Sequence, residues 1–232
     1  MLILDYERVQ AIAKAAMAHL AGFVCTGLSV RDVAAEAERY MHSSGIESFW
    51  YYGIGAFVFA GEDTVISISG REYAPAERRI AANDVVTVDL SPQVGEVWGD
   101  FARTLVIESG AVKTAPETVE NAELREGLAV EVLLHRRLME VARRDMTFEE
   151  LYLLMNAYIA EFGYENLDFG GNLGHSIDTR RERRIYIERG NRAPLSATRF
   201  FTFEPHIMKR NGAFGFKRED IYFFEGSELR IL

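Results

Sequence analysis

Five side chains in this 232-residue sequence have the types and settings for metal chemistry. Asp89 ends the β-branched run Val85-Val86-Thr87-Val88, and Asp100 follows Trp98-Gly99 just ahead of the strand-like Thr104-Leu105-Val106-Ile107. His175 stands behind a glycine-rich bend in "GGNLGHSID", Glu204 interrupts the aromatic run "FFTFEPHI", and Glu219 opens a strand in "FKREDIYFF". Singly, each has an ordinary reading as a turn, cap or loop residue. Together, four carboxylates and an imidazole at strand ends would be costly to desolvate without a positive charge among them. A pair of divalent cations would supply it. Mixed oxygen and nitrogen ligands suit Mn, Fe, Co or Zn, and carboxylates can bridge two ions roughly 3.5 Å apart.

The elements that must position these residues read as helix-helix, strands, helix-helix, strands. "YERVQAIAKAAMAHLAGFV" has apolar residues at helical spacing, and Ser29 with Asp32 forms a capping box ahead of a second helix that ends by Gly45. From Phe49 to Ile107 the runs "FWYYGIGAFVFAG", "TVISISG", "DVVTVDL" and "TLVIESG" are strand-like. "SPQVGEVWG" reads as the connection of a hairpin whose strands aim Asp89 and Asp100 into one pocket. A long helix is expected over "APETVENAELREGLAVEVLLHRRLMEVARRD", then another from Thr147, capped with Glu150, to Gly163. Strands follow in "RIYIE", "RFFTFEPHIM", "REDIYFFEG" and "LRIL". This order suggests a duplicated α+β unit, although the halves share no convincing sequence repeat. With 5 prolines in all and no Pro/Ser-rich linker, one domain over 1–232 is expected, its N-terminal helices occupying about 1–45.

Composition narrows the function classes. The chain is 48% hydrophobic and 26% charged, as in ordinary globular proteins. A net charge of -9 argues against nucleic acid as a partner, and no apolar run approaches the roughly 20 residues that span a bilayer. The single cysteine, Cys25, excludes an internal disulfide and fits the cytoplasm. The basic run "RRERR" from Arg180 to Arg184 reads as a solvated loop or a local anion site.

The ordered series Asp89, Asp100, His175, Glu204, Glu219 resembles the pita-bread metallopeptidases, which include methionine aminopeptidase, Xaa-Pro aminopeptidase, prolidase and creatinase. "VDLSPQVGEVWGDFART" looks like their strand-Asp, ten-residue gap, Asp-x-x-Arg-Thr segment, and "NLGHSI" is similar to their Gly-His ligand segment. "FFTFEPHI" and "GFKREDIYFFEG" resemble their Thr-x-Glu-Pro-Gly and Gly-x-x-x-Glu-Asp segments, closest to the Xaa-Pro branch. The resemblance implies an α+β fold of two pseudo-symmetric halves around a central two-metal site, without a separate N-terminal domain. It also implies ligand roles. Asp89 would be bidentate on one ion, Asp100 would bridge, His175 and Glu204 would complete one ion, and Glu219 would bridge both.

The sequence departs from the family where further, non-ligand histidines are usual. In "SGREYAP" Glu72 stands where His-Tyr-x-Pro would place one, and "HSIDTRRERRIYIE" has no second histidine, leaving Glu182 or Tyr186 as its counterpart. His206 follows Glu204-Pro205 where glycine is usual and is a candidate replacement donor. Such donors are worth about 2.7–4 kcal/mol each at a transition state.

The resemblance implies a metal-dependent hydrolase of the Xaa-Pro aminopeptidase or dipeptidase kind, acting on a small peptide or amide through a metal-activated water. Glu204 would move the proton, His206 would assist, and Glu72 and Arg71 would contact substrate, with Arg180 and Arg181 as further partners for a carboxylate. Two divalent ions are the expected cofactors, and the reading leaves room for a homodimer. Two alternatives stand: a degenerate relative that only binds, and a repurposed hydrolase or lyase with a small non-peptide substrate.

Overall fold

Alternation along the strands decides which residues meet the helices and which are left for a site. In the computed structural model, described over residues 3–177 and 181–232, the chain opens with helices α1 (Ile3–Phe23) and α2 (Val30–Ser43). The strands β1 (Ser48–Phe49), β2 (Ala56–Ala60), β3 (Asp84–Leu90), β4 (Pro92–Val94), β5 (Val97–Trp98), β6 (Phe101–Glu108) and β7 (Ala111–Lys113) follow. Helices α3 (Ala122–Val141) and α4 (Phe148–Glu161) open the second half. Its strands are β8 (Tyr164–Asn166), β9 (Ser176–Ile177), β10 (Phe200–Phe203), β11 (His206–Lys209), β12 (Gly215–Lys217), β13 (Asp220–Glu225) and β14 (Glu228–Ile231).

The two halves have one topology. The first pairs β2-β3-β6-β7 in a four-stranded sheet and β1-β4-β5 in a three-stranded one, and the second repeats both orders as β9-β10-β13-β14 and β8-β11-β12. Each half begins with two helices. The fold class is therefore α+β with two pseudo-symmetric halves, as expected. Helices α1 and α2 share a core with Val86, Val88 and Leu90 of β3 and with Leu105 and Ile107 of β6. Helices α3 and α4 pack with Phe201 and Phe203 of β10 and with Tyr222 of β13. Because side chains alternate, the opposite parity of each strand is turned toward the middle of the molecule: Thr87 and Asp89, Thr202 and Glu204, Glu219 and Ile221. The pseudo-symmetry axis runs near β6 and β13, where Ala102 and Glu219 form an antiparallel bridge.

Both expected capping boxes are present, at Ser29 with Asp32 and at Thr147 with Glu150. Four expectations need correction. The third helix starts at Ala122, because the Asn121 side chain caps it by accepting from the N–H groups of Glu123 and Leu124, and Pro116 lies in a separate 3-10 turn. "FWYYGIGAFVFAG" is broken by a turn at Tyr52 (φ 56) and Gly53 (φ 76). "TVISISG" is not a strand: Gly61–Val65 forms a 3-10 turn, and Ile66, Ser67 and Ile68 line a cavity. "RIYIE" contributes one bridge, between Tyr186 and His175. Arg180 lies outside the described residues. Among those described, no helix is long and apolar enough to cross a membrane.

Candidate metal centre

Register explains how Asp89 and Asp100 reach one pocket. β3 pairs with β6 so that Asp89 faces Ala102 and Leu90 faces Phe101. Extending that register by one pair sets Asp100 against Ser91, which places it on the same face as Asp89. The connection is itself a small hairpin of β4 and β5, turning at Gly95 (φ 56). From α1, Gln10 donates through its amide to the Asp100 carbonyl at 2.7 Å and accepts from the Asp100 N–H at 3.3 Å. The second half supplies the rest. His175 precedes β9, Glu204 follows β10, and Glu219 precedes β13.

The five predicted ligands converge in two overlapping groups. Single ligand atoms of Asp100, His175 and Glu219 all lie within 4.8 Å of one another, and so do those of Asp89, Glu204 and Glu219. His175 Nε2 is 3.6 Å from both Asp100 Oδ2 and Glu204 Oε1. Its Nδ1 lies 3.0 Å from the Ser176 carbonyl, to which it can only donate, so a neutral ring presents the Nε2 lone pair to the carboxylates. Trp50 and Trp98 pack against this ring, at centroid distances of 5.6 and 5.8 Å.

Charge is poorly compensated by protein alone. Glu219 is fully buried and neither carboxylate oxygen has a hydrogen-bond partner among the described residues. Burial first, then Asp100, Glu204 and Asp89, push its carboxyl well above the usual range. Burial also lifts Asp100 to about 7, against the opposing influence of His175 beside it. Such orphaned, mutually repelling oxygens are what a divalent cation would satisfy. The donor set, four carboxylates and one imidazole, suits Mn, Fe, Co or Zn.

One cation is already present, and sequence reasoning missed it. Lys217 places Nζ 2.5 Å from Asp89 Oδ2 and 3.4 Å from Glu204 Oε2. Burial opposes its charge, but Asp89, Glu204 and Glu219 outweigh burial and hold its pKa well above the usual lysine value. Glu204 is correspondingly held below the carboxylate range: burial works against its charge, and Lys217 and His175 prevail. Lys217 is two residues before Glu219, so a strand-parity argument on "FKRED" could have placed both on one side.

Behind the five predicted ligands, Arg103 binds two backbone carbonyls, those of Ala102 (2.8 Å) and Glu219 (2.7 Å), and the Asp220 carboxylate (2.7 Å). Its guanidinium thereby ties β6 to β13 at the point where Glu219 enters the site.

The centre opens into a cavity lined by Trp50, Tyr51, Phe57, Phe59, Tyr186 and Arg184, and by the loop residues Asp168, Phe169 and Asn172. The Arg184 guanidinium lies over the rings of Trp50 (4.8 Å), Tyr186 (5.5 Å) and Tyr51 (5.8 Å). The remaining predicted site residues fare differently. His206 lines the cavity, but its Nε2–H is spent on the Thr64 carbonyl at 2.7 Å. Burial lowers its pKa to about 4, so the ring is neutral and has no second N–H to give. Glu72 is exposed in a turn closed by its N–H to the Ser69 carbonyl and does not line the cavity. Arg71 lies in an outer cleft, 5.2 Å from the Tyr52 ring centroid. His19, His42 and His135 lie away from the cavity.

The model of metallopeptidase family M24 matches residues 5–225. The Xaa-Pro dipeptidase of Pyrococcus furiosus is 27% identical over 188 residues, 79% of this chain and 48% of that protein. The Xaa-Pro dipeptidase of Pyrococcus horikoshii is 26% identical over 79% of this chain and 47% of its own length. The chain thus spans about half the length of these curated relatives. Among solved structures, the X-Pro aminopeptidase of Thermotoga maritima superposes with a TM-score of 0.80 at 19% identity, covering 99% of this chain and 60% of that one. A methionine aminopeptidase from Thermotoga maritima gives a TM-score of 0.76 at 12% identity, covering 97% of this chain and 93% of the other.

Proposed function

The chain belongs to metallopeptidase family M24, and from that premise we propose that it is a metal-dependent hydrolase of small peptides or amides, of the Xaa-Pro dipeptidase or aminopeptidase kind. The observation that carries this reading is the pair of orphaned carboxylate oxygens of fully buried Glu219 among Asp89, Asp100, His175 and Glu204. These five are the proposed metal ligands, for two divalent ions drawn from Mn, Co, Fe or Zn. Such ions, when bound, acidify water and polarise a carbonyl.

This chain's own residues do the rest. Glu204, held anionic beside Lys217 and with Thr202 Oγ1 3.3 Å from Oε1, is set to take a proton and return it to a leaving nitrogen. Aromatic walls at Trp50, Phe57 and Phe59 exclude water from the reacting bond. Lys217, rather than His206, is the proton-bearing group beside the carboxylates, because the single N–H of neutral His206 is engaged with Thr64. Glu72 and Arg71 fall to the outer approaches, where a longer substrate or product would pass.

A second reading is favoured by one observation: His175 and His206 are the two histidines that line the cavity, and neither offers a free N–H. A binding module on this frame, or a repurposed hydrolase or lyase with a small non-peptide substrate, would tolerate that.

The test is metal content after purification without chelator, for the wild type, Asp100→Ala and His175→Ala, with hydrolysis of short Xaa-Pro and Met-initiated peptides under added Mn, Co or Zn. Near-stoichiometric metal lost in both variants, with metal-dependent cleavage, is the expected result. Bound metal without cleavage of any peptide would favour the second reading, and absence of metal under every supply would overturn both the site and the hydrolase.

A further inference from the structure

The loop between β8 and β9 contributes to the cavity a carboxylate that the metal centre does not use. Asp168 lines the same cavity as Glu204 and lies close enough to feel both Glu204 and Lys217. Among the described residues, all hydrogen bonds of its carboxylate run through one oxygen. Oδ1 accepts from the Gly170 N–H (2.9 Å), the Asn172 N–H (3.1 Å) and the Asn172 side-chain amide (2.9 Å), whereas Oδ2 has no hydrogen-bond partner among the described residues.

Those bonds require an acceptor, not a charge. In the same loop, Asn166 Oδ1 accepts from the Asp168 N–H and Asn172 Oδ1 accepts from the Gly174 N–H, each at 3.0 Å. An asparagine at 168 would serve the loop equally. A charge at this place is a net cost: burial and then the neighbouring Glu204 disfavour it, and Lys217 with the Asn172 and Gly170 N–H groups offset them only in part. Lys217 makes its close contacts with Asp89 and Glu204 instead. The surplus charge is therefore explained by a cation that arrives with the ligand.

We propose that Asp168 is the anchor for a protonated amine of the substrate, which makes the cavity selective for peptides and amides with a free N-terminal amino group. The inference rests on the hydrolase reading above and adds the group that sets which end of a peptide enters. An α-amine is separated from the scissile carbonyl by a single carbon, so its anchor must lie in the cavity that Glu204 lines, and Asp168 is a carboxylate of that cavity outside the five proposed metal ligands. The loop's own hydrogen bonds hold Asp168 in place before ligand arrives, which reduces the entropy lost on binding. Phe169, 64% exposed, and Ile66 stand at the rim of the same cavity as an apolar neighbour for the side chain that the amine belongs to.

The experiment uses Mn-loaded wild type and Asp168→Asn, which keeps an acceptor for the loop. Binding of free leucine, methionine, phenylalanine and alanine, each beside its N-acetylated form, is titrated by tryptophan fluorescence, with Mn content measured on the same samples. The expected result is that wild type prefers at least one free amino acid over its acetylated form by about tenfold or more, and that Asp168→Asn loses that preference while keeping Mn and its affinity for the acetylated form. An unchanged preference in Asp168→Asn overturns the inference, as does equal weakening of both ligand forms, and a fall in Mn content would make Asp168 a metal ligand. Wild type that binds Mn but none of the probes also overturns it, whereas wild type that binds no Mn overturns the hydrolase reading beneath it.

Discussion

Lys217 and Asp89, 128 residues apart, are joined by an ion pair of 2.5 Å across the two halves of the molecule. Lys217 comes from β12 of the second half and Asp89 from β3 of the first, so the contact fastens the halves at the centre of the carboxylate cluster. It supplies one built-in positive charge to a cluster of four carboxylates.

Removing that charge should therefore be felt most by the metal-free protein. In Lys217→Met, Asp89 and Glu204 are left to repel each other, and breaking a buried pair on one side costs on the order of 3 kcal/mol. The expected outcome is a lower melting temperature than wild type in EDTA and a larger upward shift on adding Mn. Differential scanning fluorimetry measures both, and coincident melting of the two proteins in EDTA would remove Lys217 from this role.

Arg103 acts on the centre through the backbone. It holds the carbonyl of Glu219 and the carboxylate of Asp220 with one planar group, a geometry that lysine cannot reproduce. Arg103→Lys should weaken Mn binding about 10–100-fold while leaving the circular dichroism spectrum intact, as expected for a residue that orients a ligand. Unchanged Mn affinity in a chelator competition would show that β6 and β13 hold Glu219 without it.

Gly174 sets the approach of His175. Its φ of +139 lies in the region that favours glycine, and an added Cβ would fall 2.3 Å from the Thr202 carbonyl oxygen. Gly174→Ala must push apart His175 and Thr202, which are joined by the Thr202 N–H to the His175 carbonyl at 2.7 Å and by the His175 N–H to the Thr202 hydroxyl at 3.0 Å. Strain of about 1–3 kcal/mol and loss of bound Mn are expected. A urea midpoint and a metal analysis matching wild type would contradict this.

Two buried histidines give stability a pH dependence of definite sign. Burial lowers His135 to about 3, although Asp220 at 3.6 Å pulls the other way, with Arg218 and Arg103 also facing it. His206 is lowered to about 4, burial again leading. Both folded values lie below the unfolded one, so below pH about 6.5 the unfolded chain takes up protons that the native state refuses. Stability is then lost as pH falls from about 6.5 toward 4, by up to about 1.4 kcal/mol per pH unit for each ring. His135 spends Nε2–H on the Arg218 carbonyl and accepts from Tyr222 at Nδ1, so His135→Gln will itself destabilise. The informative quantity is the slope of urea midpoint against pH between 7 and 5 in EDTA. It should be shallower in His135→Gln, and parallel lines for variant and wild type would refute the assignment.

Much of this was legible locally. The capping boxes at Ser29 and Thr147 are three-residue relationships, and the helices begin where they say. The five carboxylate and imidazole positions stand at strand ends in short segments whose order is a property of the chain alone. The duplication was legible only as an order of elements. Its two halves repeat strand for strand, yet β3 and β6 are joined by residues 91–100 where their counterparts β10 and β13 are joined by residues 204–219, so no simple repeat shows in the letters.

Sequence by itself determined the α+β elements, the family resemblance and the candidate ligands, because helix caps, alternation and ligand chemistry are encoded in neighbouring residues. Tertiary structure alone decided that Lys217 belongs to the centre, that the N–H of His206 is committed to Thr64, that Glu72 stays outside, and that Asp168 brings an unused carboxylate oxygen into the cavity. The physical reason is that those outcomes depend on which strands meet across the pseudo-symmetry axis and on the low-dielectric space they enclose. Side chains separated by more than a hundred residues share a charge balance there that no local pattern expresses.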